Sequence, residues 1–398
     1  MPIDIDILTD AADLRAAQQV FRTAMVGVPP LSAESGDGLN ELGRTLGARV
    51  AGELVGTVNS YTSWLVAPGG ARLPHAAVTH VGVLSTYARQ GIASALLRRQ
   101  LTDIAERGEV VASLRATQGG IYERFGYGVA GSAARCEIDV RRARFRDTVP
   151  AAGPVRLLTP ADGWEVPAKI YATADVSWTG AIDRPSHWWR LQQLMRGHGH
   201  VAVHGEPGAE DGFVRYRADE TTDWSRRPER TVVVDDLVAT TPAAYLGLVR
   251  HLLSADIVDR VVLTATAPDA PLRHLLTDER ALRVTEIRDE TWLRLIDVAA
   301  ALTRRAYRPG RPVVLAVTDP LLPANTGTYR IADGAVTAVD APPDLSADIA
   351  ALAAAYLGGT RWGHLSLAGR VTEHRPGAAA AADVLFGVAD HPFSGTYF

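Results

Sequence analysis

The sequence is poor in cysteine and has no strong excess of charge of either sign. Its one cysteine, Cys136, excludes an intramolecular disulfide. The formal net charge of −4 differs from the strongly basic balance of nucleic-acid-binding proteins, so we expect no nucleic-acid partner. Because no segment reaches the ~18 uninterrupted apolar residues of a spanning helix, we expect no membrane association.

Signals for export and for several common chemistries are also missing. The first residues show neither a basic segment nor an apolar core typical of a secretory signal, so a cytoplasmic location is the default expectation. We find no Ser-His-Asp motif, no P-loop and no pair of cysteines with zinc-ligand spacing. We therefore expect no metal cofactor.

The sequence does have enough apolar material for several domains. A chain of 398 residues with 47% hydrophobic residues exceeds one typical domain and favours two or three. A charge-rich stretch at 141–149 and the following residues 150–154 indicate the exit from a first domain. The domains we predict are residues 1–149, 150–290 and 291–398.

The first domain alternates helices and strands. The apolar residues recur with a period of 3.6 in the helices, and β-branched and aromatic residues are concentrated in the strands. A turn at 67–70 closes a hairpin. The elements are a helix, three strands, a second helix and a fourth strand, predicted at residues 10–25, 47–52, 54–66, 76–84, 91–107 and 110–116.

The central domain partly repeats this order. It reads strand, strand, helix, strand and short helix, predicted at residues 212–217, 230–239, 242–254, 260–265 and 272–276. The loop Thr240-Thr241-Pro242 has no glycine, so this domain is a candidate degenerate duplicate of the first. An unrelated α/β domain with the same common order is an equally good explanation.

The third domain combines a hairpin with terminal helices. The hairpin turns at Asp333-Gly334. Ser346 is the predicted N-cap of a helix that ends at Leu357 before two glycines. The remaining predicted elements are strands at 292–298, 313–317, 328–331 and 335–339 and a last helix at 378–386.

The strand–loop–helix at residues 76–107 is the strongest functional signal. Gly91 precedes the helix, where the missing Cβ lets a ligand approach the backbone. The first N–H groups of a helix have no partner within it, and the helix dipole favours an anion there. A pyrophosphate fits this position, although a glycine that serves only tight packing explains this single feature equally well.

Together with two further segments, this unit resembles the GNAT acetyltransferases and most closely the enhanced intracellular survival (Eis) family. The first signal is the pattern V-x-x-V-x-V ending at Val83, followed eight residues later by Gly91. The others are GGIYERFGYG at 119–128, ADIAALAAAYLGGTRWGHLSLAGRV at 347–371 and the C-terminal Phe398. The resemblance spans the chain, most loosely in its middle third.

The resemblance implies an α/β (α+β) fold of two tandem GNAT domains, the second degenerate, followed by a sterol-carrier-protein-like domain. It also implies a hexameric assembly. The cosubstrate implied is acetyl-CoA, and the partners are small-molecule amines or lysine side chains of proteins.

Cofactor-binding residues follow from the same motifs. Val81, Gly82 and Val83 match the site of the acetyl group and pantetheine, and Thr117 and Gln118 match further cofactor contacts. The residues that match the pyrophosphate loop are Arg89, Gln90, Gly91, Ile92, Ala93 and Ser94. Members of the family usually have Arg or Gln where this sequence has Ala88, so the adjacent Arg89 is the candidate to supply that charge.

Two residues match the catalytic groups. Tyr122 corresponds to the proton donor, and the terminal carboxylate of Phe398 corresponds to the proton acceptor. A buried structural tyrosine and a hydrophobic tail are the alternatives, and His80 is a second candidate base. Since tyrosine has a pKa of about 10 and a thiol about 8.5, either the site lowers the tyrosine pKa or the proton moves as the C–S bond breaks.

The function implied is acetyl-CoA-dependent N-acetylation of aminoglycoside-like polyamines or lysine side chains. The alternative is a lipid- or small-molecule-binding protein that retains a relic GNAT fold. Gly91, Tyr122 and the terminal phenylalanine are all intact, which favours the enzyme.

Overall fold

A computed structural model describes residues 2–28, 38–196, 199–219 and 229–398. By packing, the chain divides into two units. Unit 1 contains Met1–Gly131, Trp178–His187 and Asp289–Phe398, and unit 2 contains Ser132–Ser177 and Trp188–Arg288. Over the described ranges, none of the helices is long and apolar enough to cross a membrane.

The elements follow one another in a mixed order. The strands of the described part are β1 (Asp4–Leu8), β2 (Thr45–Val50), β3 (Glu53–Val66), β4 (Arg72–Val83), β5 (Val111–Leu114), β6 (Gly128–Asp139), β7 (Val155–Leu157), β8 (His200–His204), β9 (Gly212–Ala218), β10 (Thr231–Ala239), β11 (Arg260–Thr266), β12 (Leu282–Leu295), β13 (Val313–Thr318), β14 (Gly327–Ala332), β15 (Ala335–Ala338), β16 (Leu345–Asp348) and β17 (Val371–Glu373). The α-helices are α1 (Ala11–Met25), α2 (Ile92–Glu106), α3 (Glu165–Thr173), α4 (Ser186–Arg196), α5 (Pro242–Leu253), α6 (Val298–Arg304), α7 (Ile349–Tyr356), α8 (Trp362–Leu367) and α9 (Ala378–Phe386).

The N-terminal part of unit 1 is built around strands β1 to β5. β1 to β4 are successive antiparallel neighbours, and β5 lies parallel to β4 with α2 as the crossover between them. The apolar face of α2 buries Leu96, Leu97 and Leu101 in the core beneath the sheet. A crossover helix must begin at the C-terminal end of the strand before it, so α2 starts beside the end of β4.

β4 has a bulge close to its C-terminal end. His80 and Val81 together oppose the single residue Val58 of β3, and His80 has a φ of +52°. The parallel pairing with β5 runs from His75 to Ala77 and ends there, while β4 continues to Val83. The last residues of β4 therefore direct backbone groups toward the gap beside β5.

The C-terminal part of unit 1 is a five-stranded sheet in the order β15-β14-β13-β16-β17. The predicted hairpin is present, and Asp333 and Gly334 adopt the two positive φ angles of a tight turn. The predicted helix start at Ser346 is wrong. Ser346 lies in β16, which pairs with β13, and the N-cap of α7 is Asp348, whose carboxylate accepts a hydrogen bond from the Ala351 N–H.

The bounds predicted for the strand at 292–298 also differ from those in the structure. β12 begins ten residues earlier, at Leu282, and ends at Leu295. Val298 belongs to α6, because the Asp297 carboxylate caps that helix by accepting a hydrogen bond from the Ala300 N–H.

Helix α7 packs directly on the strand that follows the GGIYERFGYG segment. A Cβ on Gly128 would clash with the carbonyl oxygen of Ala350, and one on Gly126 would lie 2.7 Å from Arg294 Nε. The Arg294 guanidinium is buried in an ion pair with Asp319 at 2.8 Å. These glycines therefore permit close packing between the first and last parts of unit 1.

Unit 2 repeats the strand–helix–strand arrangement of unit 1. β10 is antiparallel to β9 and parallel to β11, and α5 is the crossover. β10 also has an extra residue, Asp235, because Val234 and Asp236 oppose adjacent residues of β9. This bulge in the matching strand favours the degenerate duplicate over an unrelated α/β domain.

Candidate active site

A groove of about 640 Å³ lies at the C-terminal end of β4 in unit 1. Its walls come from the end of α1, the bulged end of β4, the loop into α2 and the segment 117–124. The predicted site residues that line it are Val81, Gly82, Val83, Arg89, Gly91, Ile92, Ala93, Ser94, Thr117, Gln118 and Tyr122. Gln90 and Phe398 are not part of this lining.

The start of α2 forms one wall of the groove. Gly91 is the N-cap with a φ of +84°, and a Cβ built there meets nothing within 4 Å. Glycine has no side chain to cap the helix, so the first N–H groups are available to a ligand. Ile92 is buried and anchors the turn, while the exposed Arg89 adds positive charge. This arrangement fits a pyrophosphate.

The end of β4 forms a second wall. The side chains of Val81 and Val83 are half-buried and line the groove. Gly82 allows α1 to pack closely, because a Cβ there would lie 3.1 Å from the Cα of Phe21. The pairing with β5 has already ended, so an extended ligand has room to lie along β4.

Other residues line the groove besides the predicted ones. They are Ala24, Met25, Tyr87, Ile121 and Arg124, together with Ala88 of the loop. Arg124 stands two residues after Tyr122, so its place in the motif was a usable signal. Ala24 and Met25 end α1, and only the packing of that helix on β4 brings them to the groove.

Tyr122 lies at the start of a turn of 3₁₀ helix formed by Glu123–Phe125. Its side chain is 5% exposed and packs at 6.0 Å from the Tyr127 ring and 6.3 Å from the Trp292 ring, measured between centroids. Burial raises the pKa of Tyr122 above its ordinary value. The hydroxyl is therefore protonated at neutral pH, as a proton donor requires.

His80, the second candidate base, lies in the bulge of β4. Its ring packs 4.6 Å from that of Phe21. Burial, with a smaller effect from Arg22, lowers the pKa of His80 to about 4. The imidazole is neutral at pH 7 but is a much weaker base than an ordinary histidine.

Phe398 lies against the strands that lead to the groove. Its ring is edge-on to Tyr61 of β3 at 5.6 Å, and the guanidinium carbon of Arg115 lies 4.9 Å from the ring centre. Arg115 directly follows β5 and precedes Thr117 by two residues. The tail is thus docked on unit 1.

The paired tryptophans of the sequence belong to a core. Trp188 and Trp189 are buried in unit 2, and Trp189 packs with Tyr171 and Phe213. The described ranges contain no group of three or more His, Cys, Asp or Glu side chains that could hold a metal ion.

The start of α5 in unit 2 differs from the start of α2. Thr241 Oγ1 accepts a hydrogen bond from the Ala244 N–H at 3.1 Å and donates one to the Asp211 carboxylate at 2.6 Å. The helix is therefore capped by its own chain, and a negative charge already lies beside it. A phosphate would be repelled there.

Three domain models of two kinds match the chain. Two Acetyltransferase (GNAT) domain models match residues 6–130 and 180–295, and a Sterol carrier protein domain model matches residues 298–395. Together they account for most of the length.

Individual proteins are similar along most of the chain. An uncharacterized N-acetyltransferase of Streptomyces coelicolor is 36% identical over 84% of this chain and 83% of its own length. The N-acetyltransferase Eis of Mycobacterium tuberculosis is 33% identical over 85% of this chain and 86% of its own. The crystal structure of Eis1 from Mycobacterium abscessus covers 100% of both chains at 48% identity, with a TM-score of 0.93.

Proposed function

The chain belongs to the Eis family of GNAT N-acetyltransferases, and from this premise we propose that it acetylates aminoglycoside-like polyamines or lysine side chains with acetyl-CoA. One observation carries the proposal: a single groove combines the glycine-capped start of α2, the end of β4 that no longer pairs with β5, and Tyr122. An acetyl-CoA molecule supplies the thioester, and the remaining chemistry belongs to the chain.

Binding of the cosubstrate uses two walls of the groove. The N–H groups at the start of α2 bind the pyrophosphate, aided by Arg89, with Gln90, Ile92, Ala93 and Ser94 shaping the loop. The end of β4 at Val81–Val83 pairs with β3 but no longer with β5, so it offers backbone groups to pantetheine on that side, and Thr117 and Gln118 line the same groove. Backbone N–H groups near Val83 stabilise the oxygen that becomes negative when the amine adds.

Proton transfer uses one group from the first third of the chain and one from the C-terminus. The carboxylate of Phe398, with an ordinary pKa of about 3.3–3.7, is ionised at neutral pH and accepts the proton of the amine directly or through water. Tyr122 gives its proton to the departing sulfur. The docking of Phe398 beside Tyr61 and Arg115 supports this role, because a free terminus would not keep a fixed place.

We further propose three domains at residues 1–149, 150–290 and 291–398, a cytoplasmic location and a homohexamer. The hexamer follows from the family, and the first domain boundary follows from the charge-rich stretch at 141–149. Sedimentation of the purified protein tests the hexamer, and a monomer at micromolar concentration would contradict it.

The substrate class is tested with a panel of amines. We expect release of CoA with polyamines, aminoglycosides or lysine peptides, and no release with matched neutral sugars. Mass spectrometry should find one acetyl group on the amine for each CoA released. If sterols or fatty acids raise the melting temperature while acetyl-CoA does not, the lipid-binding alternative replaces the enzyme.

A further inference from the structure

The last residues of the chain lie in a cluster of hydrogen bonds with Glu290, Arg115 and Arg184, which we call the tail clamp. The Glu290 carboxylate accepts hydrogen bonds from the N–H groups of Ser394 at 2.7 Å and Gly395 at 2.9 Å. One side chain therefore holds two consecutive peptide groups of the tail.

The two arginines hold the next peptide groups. Arg115 donates from Nε and Nη2 to the carbonyl oxygen of Thr396, at 3.1 and 2.7 Å. Arg184 donates to Thr396 Oγ1 at 3.0 Å and to the carbonyl oxygen of Gly395 at 2.8 Å. Charged donors and acceptors make hydrogen bonds roughly twice as strong as neutral ones, so the tail is held firmly up to Thr396.

Arg115 also connects the clamp to the groove. Its Nη1 donates to the backbone oxygen of Glu290 and to Thr291 Oγ1, both at 2.9 Å. It stands two residues before Thr117 on the segment that lines the groove, and its guanidinium lies over the Phe398 ring. A displacement of the tail would therefore move Phe398 relative to that segment.

A short segment of unit 1, Trp178–His187, completes the clamp. The Phe393 N–H donates to the Thr179 carbonyl oxygen at 3.0 Å, and a Cβ on Gly180 would lie 3.2 Å from the Phe393 nitrogen. Ile182 forms a bridge with Leu65 at the end of β3. Arg184 is thus fixed by a segment that packs on both the tail and the sheet.

We propose that Glu290, Arg115 and Arg184 are positioning residues that set the place of the Phe398 carboxylate. They act through the tail and do not touch the reacting atoms. The buried side chains of Ser394 and Thr396, 0% and 1% exposed, agree with a tail in one fixed path. This inference rests on the proposed role of Phe398 as proton acceptor.

The test replaces Glu290 by glutamine. The variant Glu290→Gln keeps one oxygen acceptor, while its NH₂ group cannot accept the second N–H, so the tail loosens without a change of size. The control is Glu286→Gln, the same substitution at an exposed position of the same strand. Release of Phe398 and Tyr397 by carboxypeptidase from the folded protein measures the tail, and kcat and KM measure the reaction.

We expect Glu290→Gln to release the two residues at least about tenfold faster than Glu286→Gln and to lower kcat about 10²-fold, because small misplacement of a catalytic group has effects of that size. The KM for acetyl-CoA should stay within about twofold, since the groove is intact. If Glu290→Gln does not fold, Arg184→Lys, which loses the planar fork but keeps the charge, takes the same test.

Two outcomes overturn the inference. Unchanged release shows that Glu290 does not hold the tail. Faster release with unchanged kcat shows that tail position does not control the reaction. An added residue after Phe398 separates this failure from failure of the proposed function: if that extension still abolishes acetylation, Phe398 remains the base and only the clamp is lost.

Discussion

At the residue scale, the pKa of Tyr122, the proposed proton donor, favours one of two routes for the proton. Burial raises its pKa, so the route in which the site lowers the tyrosine pKa is not supported. Transfer to a free thiolate with a pKa of about 8.5 would then be uphill by more than roughly 2 kcal/mol. We therefore infer that the proton moves to sulfur as the C–S bond breaks, when the sulfur is carrying the developing charge.

The variant Tyr122→Phe removes this proton. We expect kcat to fall by about 10²–10⁴-fold, the usual contribution of general acid catalysis, with little change in the affinity for CoA. The control is Tyr127→Phe in the same motif, because the Tyr127 hydroxyl is buried without a hydrogen-bond partner among the described residues. Steady-state kinetics on one good amine checks both, and near wild-type turnover of Tyr122→Phe would remove it from the mechanism.

Sequence motifs identify some residues of the proposed site but not the residues that hold the tail, and the reason is physical. Tyr122 and Gly91 lie in local sequence motifs, and the residues around them indicate their proposed roles. The partners of Arg115 and Arg184 in the tail are 281 and 212 positions away, so no local pattern connects them. From the sequence, Arg115 is predicted only to lie at the end of a strand, and nothing indicates its contact with the tail.

At the element scale, we propose that the start of α2 binds the phosphates of CoA. Gly91→Asp places a carboxylate where they bind, and we expect it to raise the Kd for CoA by more than about 100-fold, because like charges at close range cost several kcal/mol. Calorimetry on the folded variant measures this.

The matched control is Gly108→Asp at the other end of the same helix. Gly91 and Gly108 have φ angles of +84° and +75°, and a Cβ at either meets nothing within 4 Å, so both variants pay a similar backbone strain. Only Gly91→Asp should lose CoA. Equal affinity in the two variants would show that this helix start does not bind the pyrophosphate.

The start of α5 predicts a stoichiometry. Because Thr241 caps this helix and Asp211 already places a negative charge beside it, we expect one CoA per chain and none in unit 2. Isothermal titration gives the number of sites, and Gly91→Asp should abolish all of them. Two sites per chain, or one that survives in Gly91→Asp, would refute this.

Elements were predictable where local chemistry agrees with tertiary packing. α1 and α2 have clear periodicity and α9 begins with a run of alanines, and all three lie close to the predicted bounds. Ser346 was a wrong N-cap prediction because serine is a good N-cap in general. In the structure its strand pairs with β13, and Asp348, two residues later, caps the helix. The bulge at His80, where φ is +52°, could not be predicted from local sequence, because it depends on how β4 pairs with β3 and no glycine stands at that position.

At the scale of the whole molecule, the packing units do not follow the order of the sequence. A reading along the sequence divides it into consecutive domains, and the resemblance to the Eis family supplied the tandem GNAT folds and the sterol-carrier-protein-like domain, which the domain models confirm. The segment Trp178–His187 packs with unit 1 although its neighbours on both sides belong to unit 2. The composition of this segment does not change at either end, so the sequence alone does not assign it to unit 1. Its place depends on contacts with the tail and β3.

We propose that one acetyl-transfer site is assembled from distant parts of the chain, the groove in the first domain and the carboxylate of Phe398. Adding a few residues after Phe398 keeps its ring and turns its carboxylate into an amide, while the same residues added before Met1 serve as the control. Deleting Phe398 leaves a carboxylate one residue short.

The most direct measurement is kcat for acetylation by the C-terminally extended protein. We predict a fall of at least about 100-fold with an unchanged Kd for acetyl-CoA, since the proton acceptor is lost and the groove is not. Full activity of the extended protein would contradict the account and place the base elsewhere, with His80 the first residue to replace.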